Sequence, residues 1–173
     1  HPGEKLVPRA RSMAAVVREA LPDLPGHIHL VQATDPVNTY DLLEIADLVL
    51  TYTTTVGLEA AMNGVPVIVC GRTHYRGRGF TLDPTSWEEY FALLERVLAA
   101  PADFRLSEAQ RELAWTYAYH FFFDYPKPFP WRLLHFWEDL KIWPLERVLG
   151  QEGRALFEDT FARLVGQQPI INN

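Results

Sequence analysis

The sequence predicts an α/β fold in which residues 1–100 form a doubly wound parallel sheet and residues 101–173 form an aromatic-rich helical region that packs on it. Two short apolar runs, at 48–50 and 67–70, have the length and composition of strands that are buried on both faces. The residues between them, 56–62, are good helix formers. A strand, a helix and a second strand in this order form one parallel crossover unit.

Upstream of this unit, the pattern predicts a helix, a strand and a short helix. The first helix begins near Pro8, because apolar residues recur there at helical spacing, and it ends before Pro22. The strand covers residues 28–31, and the short helix covers 40–46 and leads into the strand at 48. Three strands with helices between them predict a right-handed, doubly wound sheet.

Capping residues mark the predicted helix ends downstream. Asn63-Gly64 predicts the end of the crossover helix, because glycine adopts the left-handed conformation that ends many helices. Residues 86–89 (Ser-Trp-Glu-Glu) and 107–110 (Ser-Glu-Ala-Gln) are capping boxes that predict two more helix starts. The last helix is predicted to be amphipathic, with an apolar face of Leu156, Phe157, Phe161 and Leu164.

More than half of the Trp, Tyr and Phe residues lie between residues 115 and 143, together with three prolines. We expect this aromatic region to form a helical cap in which the rings fill an irregular core. The alternative is that part of it docks on a further domain, a second subunit or a membrane interface, since Trp and Tyr suit a half-wet surface. The sequence leaves both interpretations open.

Three consecutive threonines, Thr53, Thr54 and Thr55, lie between the first strand of the crossover unit and its helix. Ligands bind at this carboxyl edge in open α/β sheets, and the N–H groups and dipole of a helix start attract anions there. The hydroxyls add hydrogen-bond donors. Since one helix cap needs only one hydroxyl, we predict a phosphate-binding turn, with capping alone as the alternative.

The loop after the second strand is locally basic, although the chain carries a formal net charge of −6. It contains Arg72, His74, Arg76 and Arg78, and no acidic residue precedes Asp83. Arginine donors match carboxylate and phosphate groups, so we predict that the three arginines bind a sugar carboxylate or a phosphate. His74 is expected to contribute a hydrogen bond rather than to act as a base. The alternative is a solvated basic loop.

Three further residues are candidates at or near this edge. Glu59 shares a helix face with Thr55 and is predicted to lie close to a bound nucleotide; the alternative is an exposed helix glutamate. Asp35, before Pro36, is a candidate for lining the crevice. Cys70, the only cysteine, is predicted to be a small core residue at the end of a buried strand.

Composition excludes several classes of function. A net charge of −6 argues against a surface that binds nucleic acid through bulk charge. One cysteine excludes an internal disulfide and a multi-cysteine metal site, and no apolar run has the length of a membrane span. The sequence has no nucleophilic triad, Walker loop, dinucleotide fingerprint or zinc-binding spacing. We therefore expect no cofactor, no metal ion and no nucleic-acid partner.

Two blocks of sequence, residues 53–69 and 71–84, resemble the capsule polysaccharide biosynthesis family. The first block reads TTTVGLEAAMNGVPVIV and the second reads GRTHYRGRGFTLDP. The resemblance covers roughly residues 1–100. It implies the carboxyl-terminal, donor-binding half of a GT-B-type glycosyltransferase, built on a Rossmann-like sheet, that transfers Kdo or a similar acidic sugar from a CMP-sugar.

The resemblance also assigns roles to individual residues. In this family and in similar sialyltransferases, a His-Pro pair and a Ser/Thr pair hold the donor phosphate. His1-Pro2 matches the first pair, and the second falls within Thr53 to Thr55. Threonine stands where serine is usual, which keeps the hydroxyl chemistry, and the strand that would present His1 is expected before residue 1. Glu59 resembles the acidic residue that takes the ribose hydroxyls in the wider GT-B group.

The resemblance implies an amino-terminal acceptor domain that carries the catalytic base. Expected partners are a nucleotide sugar, a lipid-linked or polysaccharide acceptor and a capsule assembly complex. The expected location is cytoplasmic, peripheral to the inner face of the bacterial inner membrane. Two alternatives stay open: another nucleotide-using enzyme, such as a sugar-nucleotide 2-epimerase or a CDP-polyol phosphotransferase, and a non-catalytic docking module of a capsule assembly complex.

Overall fold

A computed structural model describes residues 11–167, and the contacts within the chain divide it into two compact units. The first unit ends at Ala114 and the second begins at Trp115. The elements that begin in the first unit are α1 (Met13–Ala20), α2 (Thr39–Ile45), β1 (Val49–Thr51), α3 (Val56–Met62), β2 (Val67–Val69), α4 (Trp87–Ala99), a 3₁₀ turn (Pro101–Phe104) and α5 (Glu108–Tyr119), inside which the boundary falls.

The predicted crossover unit is confirmed. β1 and β2 lie parallel, with Val49 opposite Val67, and α3 packs on both strands. Every residue of β2 is fully buried, and burying each such aliphatic side chain contributes about 1.5–3 kcal/mol of transfer free energy. Helix α3 ends at the predicted stop, where Gly64 has a φ of 80°. The sequence between the strands therefore builds a closely packed platform below the threonine turn.

The doubly wound, three-stranded sheet is not shown by the structure. Residues 11–167 contain a two-stranded sheet and one isolated parallel bridge, between Ile68 and Leu82. The strand predicted at 28–31 is wrong, because Ile28 and Val31 are exposed and the Ile28 N–H closes a turn onto the Pro25 carbonyl. A short, mostly apolar segment such as Ile-His-Leu-Val becomes a strand only when a neighbouring strand supplies hydrogen bonds and a buried face.

Two helices, α4 and α5, start at the predicted caps. The start predicted at Pro8 lies outside the described residues, and α1 begins after Ser12, whose hydroxyl accepts from the Ala15 N–H. Ser107 and Gln110 form the reciprocal pair of a capping box at the start of α5. The Ser86 hydroxyl caps α4 as predicted, although the carboxylate of that box bonds to residue 85 instead of residue 86.

The second unit is built from helices and turns. Its elements after α5 are a π turn (His120–Asp124), a 3₁₀ turn (Leu133–His135), α6 (Phe136–Ile142), α7 (Leu145–Leu149) and α8 (Gln151–Leu164). Helices α7 and α8 pack closely because Gly153 has no side chain: a Cβ there would overlap the Val148 backbone. The Trp143 ring meets the Phe157 ring edge-on at 5.0 Å.

Many apolar residues of the second unit nevertheless face solvent. The rings of Phe123 and Trp137 and the Leu134 side chain are more than two-thirds exposed. The predicted apolar face of α8 is correct at Phe157, which is buried, but wrong at Leu156 and Leu164, which are exposed. Only part of the aromatic region therefore fills a core within this unit. Within residues 11–167, no helix combines the length and apolar character needed to span a membrane.

Candidate functional site

A cleft opens at the carboxyl ends of β1 and β2. It encloses about 590 Å³ and is lined by Tyr52, Thr53, Cys70, Gly71, Arg72, Arg76, Pro84 and Thr85. This is the edge at which open parallel sheets bind ligands. The structure thus brings one predicted threonine and two predicted arginines to a common cleft, although they are separated by the whole crossover helix in sequence.

The threonine turn is held in place by a buried tyrosine that the sequence analysis missed. Tyr75 is fully buried, its hydroxyl donates to the Thr54 carbonyl at 2.6 Å, and the Thr51 hydroxyl lies within hydrogen-bond distance of it at 3.3 Å. Gly57 makes this approach possible, because a Cβ there would overlap the Tyr75 hydroxyl. Burial raises the pKa of Tyr75, so the phenol remains a neutral donor. The signal in the sequence was a tyrosine inside a glycine-rich basic loop.

Arg76 connects the basic loop to the sheet. Its Nη1 donates to the Val69 carbonyl at 2.6 Å and to the Gly71 carbonyl at 3.2 Å, and its Nη2 donates to the Pro84 carbonyl. Gly71 itself fits only without a side chain, because a Cβ would overlap the Tyr52 carbonyl. Since these donors already satisfy backbone acceptors, the geometry favours a structural role for Arg76 over the predicted role in sugar binding.

The other basic residues of the loop, Arg72, His74 and Arg78, differ in position. Arg72 is exposed and lines the cleft. Arg78 lies near His74, and neither residue lines the cleft. Partial burial of the His74 ring, together with the Arg78 charge, lowers the pKa of His74 and keeps the ring predominantly neutral at pH 7. The structure therefore presents Arg72 as the arginine best placed to meet an anion in the cleft.

The comparison with known proteins identifies the family. The family model for "Capsule polysaccharide biosynthesis protein" matches residues 1–121, well over half of the chain. The chain belongs to this family. The match includes the crossover unit, the cleft and the basic loop, and it supports a role in capsule polysaccharide synthesis. No curated protein and no solved structure matches the chain significantly.

The three threonines that the family resemblance assigns to phosphate have different environments. Thr53 is exposed and lines the cleft. The Thr54 hydroxyl accepts from the Val56 N–H at 3.3 Å, and the Thr55 hydroxyl donates to Glu59 at 3.1 Å. The structure thus places one hydroxyl in the cleft and gives the other two local partners. The fourth predicted phosphate ligand, His1, lies outside the described residues.

The predicted carboxylates do not line this cleft. Glu59 accepts the Thr55 bond and also contacts Tyr40, where its hydrogen bond and negative charge raise the pKa of the phenol. Asp35 is half-buried and accepts from the Gln32 N–H at 2.7 Å, which closes a turn. The ribose-binding role of Glu59 stays a prediction. Residues 11–167 contain no group of three or more His, Cys, Asp or Glu side chains positioned to hold a metal ion.

Cys70 is not the core residue that the sequence predicts. β2 ends at Val69, and Cys70 is exposed on the cleft, while its N–H donates to the Thr51 carbonyl at 2.8 Å. The apolar run continues by one residue past the strand, and burial stops where the strand stops. The Cys70 thiol lies against Tyr90, whose pKa is raised by burial and further by this contact.

Proposed function

We propose that this chain is the nucleotide-sugar-binding part of a glycosyltransferase that acts in capsule polysaccharide synthesis. The donor in this proposal is a CMP-sugar, and the transferred sugar is Kdo or a similar acidic sugar. One observation carries the proposal: in a member of the capsule family, Thr53 and Arg72 line one cleft at the carboxyl edge of a parallel strand pair.

The chemistry of glycosyl transfer explains why these groups belong together. Negative charge develops on the donor phosphate as the bond between sugar and phosphate breaks. A guanidinium presents forked donors that match phosphate oxygens, and a hydroxyl adds a further donor. Because Tyr75 and Arg76 hold the surrounding backbone in place, these donors need little reorganisation during the reaction. The proposal therefore requires no metal ion for charge neutralisation.

The architecture in this proposal is the donor half of a GT-B fold. In this proposal the crossover unit, in which β1 and β2 lie parallel, belongs to a Rossmann-like sheet. The acceptor site and the catalytic base belong to an amino-terminal domain, as the family resemblance implies. The acceptor is a lipid-linked or polysaccharide chain of a capsule assembly complex at the cytoplasmic membrane face.

Nucleotide binding tests the proposal directly. Calorimetry on the full-length protein with CMP, CDP and UDP should show preferential binding of the cytidine nucleotides. Arg72→Ala should weaken CMP by about 10- to 150-fold, since a hydrogen bond to a charged group contributes about 1.5–3 kcal/mol. Arg18→Ala is the matched control, because Arg18 is exposed on α1 and does not line the cleft. A clear preference for UDP would contradict the CMP assignment.

A product assay separates binding from catalysis. With CMP-Kdo and a capsule-type acceptor, the full-length protein should transfer sugar, and the 173-residue chain should bind donor without transferring it. Positioning of donor and acceptor across a cleft supplies up to about 7–11 kcal/mol of such catalysis. Equal turnover by both would refute the half-enzyme assignment. Turnover of UDP-GlcNAc or CDP-glycerol would indicate the epimerase or phosphotransferase alternative, and absence of nucleotide binding would indicate the docking module.

A further inference from the structure

A second, smaller cavity adjoins the cleft. It encloses about 260 Å³ and is lined by Cys70, Pro84, Thr85, Ser86, Trp87 and Tyr90. We call it the aromatic alcove. Three of its residues, Cys70, Pro84 and Thr85, also line the larger cleft. A ligand whose phosphate lies at Thr53 and Arg72 therefore has direct access to the alcove.

The Trp87 side chain forms part of the alcove lining, and it packs against two neighbouring rings. Trp87 is the first residue of α4 and is 71% exposed. Its ring stacks on Phe91 with centroids 6.1 Å apart and meets Tyr90 edge-on at 5.8 Å. Neighbouring rings on the same helix thus hold the indole, while most of its surface stays open to solvent. A pre-organised, exposed ring of this kind binds flat ligands at a low entropic cost.

The cleft and the aromatic alcove differ in charge. Arg72 lines the cleft end. None of the residues that line the alcove is charged. The Glu89 carboxylate accepts from the N–H of Thr85 at 2.6 Å and from its hydroxyl at 2.9 Å, and Thr85 lines both cavities. These hydrogen bonds and the Arg76 charge lower the pKa of Glu89. A phosphate or a sugar carboxylate is therefore favoured at the cleft end, and an uncharged ring is favoured at the alcove end.

We propose that the aromatic alcove binds the nucleobase of the donor, with the base stacked on Trp87 and the phosphate at Thr53 and Arg72. The assignment rests on the proposed function and adds the direction in which the donor lies. The nucleoside extends toward the start of α4, and the acidic sugar lies on the side of the phosphate away from Glu89. Stacking of a base on an aromatic side chain contributes about 1–3 kcal/mol.

The test compares two probes that share a sugar phosphate and differ in the base. CMP and ribose 5-phosphate are titrated by calorimetry into the full-length protein and its variants. Trp87→Ala should weaken CMP by about 5- to 150-fold and leave ribose 5-phosphate unchanged. Trp87→Phe should retain most of the CMP affinity, because it keeps an aromatic ring. Trp137→Ala is the matched control, since Trp137 has the same exposed fraction, 71%, on another helix.

Cys70 provides an independent readout of position. It is the only cysteine in these 173 residues, it is exposed, and it lines both cavities. CMP should slow alkylation of Cys70 by iodoacetamide, measured on the Cys70 peptide by mass spectrometry. In Trp87→Phe this protection should persist at saturating CMP. In Trp87→Ala it should require a higher CMP concentration, in proportion to the loss of affinity.

The outcomes separate the two proposals. If CMP binds, depends on Arg72 and protects Cys70, but Trp87→Ala and Trp87→Phe both bind CMP like the wild type, the base lies elsewhere and the alcove assignment is overturned. An equal loss of affinity for CMP and for ribose 5-phosphate in a folded Trp87→Ala protein would also overturn the alcove assignment. If the folded wild-type protein binds neither probe, the proposed function fails and the alcove assignment fails with it.

Discussion

The loop of residues 71–84 in the first unit and the segment of residues 131–143 in the second are both tied down by a polar side chain, but with different chemistry. In the loop, Arg76 and Tyr75 donate to neutral backbone carbonyls. In the segment, the buried Asp139 carboxylate accepts from the N–H and the guanidinium of Arg132. The acceptors in the first arrangement are neutral carbonyls, whereas the second arrangement requires an ionised carboxylate.

The loop belongs to the candidate site, whereas the segment belongs to the helical second unit. The loop lines part of the cleft, and its hydrogen bonds to neutral carbonyls hold the backbone around the cleft residues in place. The second unit leaves large rings such as Phe123 and Trp137 in solvent and depends on a few specific polar contacts. We therefore expect substitutions to affect the two regions in different ways.

Arg76→Ala should have the largest effect on stability. Three backbone carbonyls lose their donor, and a hydrogen bond to a charged group contributes about 1.5–3 kcal/mol. Because bonds made by one side chain are not additive, we expect a loss of about 3–5 kcal/mol in the free energy of unfolding. Urea denaturation measures it, with Arg72→Ala as the matched control that should stay near the wild-type stability. A stable Arg76→Ala protein that loses sugar-nucleotide affinity alone would restore the ligand-binding role that the sequence predicts.

Tyr75→Phe should lower the free energy of unfolding by less than Arg76→Ala does, and it should affect the same loop. Removing the hydroxyl leaves the Thr54 carbonyl without its donor at a buried position, which costs about 1–3 kcal/mol. The threonine turn also loses a fixed contact, so CMP affinity should fall together with stability. Denaturation and calorimetry measure both effects. Tyr119→Phe, on an exposed ring, should change neither, and an unchanged Tyr75→Phe protein would contradict the proposed tie.

Asp139→Asn should show a pH-dependent effect in the second unit. Arg132 lowers the pKa of Asp139 to about 2 from its ordinary value of 3.8. Because the folded-state pKa is the lower one, the ionised carboxylate stabilises the fold above about pH 4, and this contribution is lost as the pH falls toward about 2. Unfolding followed by near-ultraviolet circular dichroism should show a wild-type advantage at pH 7 that disappears in acid.

The pair Asp159 and Arg163, in which the carboxylate is the exposed partner, supplies the control for this pH series. The pKa of Asp159 is also lowered, but the Asp159 side chain is more than half exposed, so solvent screens its charge. Asp159→Asn should therefore change stability little at any pH. Equal changes in stability for Asp159→Asn and Asp139→Asn would show that burial does not strengthen the ion pair between Arg132 and Asp139.

Trp137→Ala should have the smallest effect. Its ring is mostly exposed and touches Phe136 edge-on, so we expect a change within about 0.5 kcal/mol in the free energy of unfolding. Thermal unfolding measures it. Trp143 is the informative counterpart, because its ring packs on Phe157 and under the Arg147 guanidinium, and Trp143→Ala should be clearly destabilising. Equal effects would show that exposure in this unit does not predict stability.

The sequence by itself determined the local elements of the first unit. Composition and capping residues predicted α3, its stop at Gly64, the strands on either side and the caps of α4 and α5, because these signals act over a few neighbouring residues. It also predicted the basic loop and the threonine turn as the chemically distinctive segments. The family match over residues 1–121 agrees with that selection.

The tertiary structure decided which of those residues share a surface. Of the predicted site residues within 11–167, Thr53, Arg72 and Arg76 line the cleft. The fold also shows that Arg76 donates to backbone carbonyls and that Tyr75 supports the turn. It also decided that residues 28–31 are not a strand and that Cys70 is exposed. Hydrogen-bond partners and burial depend on residues distant in sequence, whereas periodicity and capping record only neighbours along the chain.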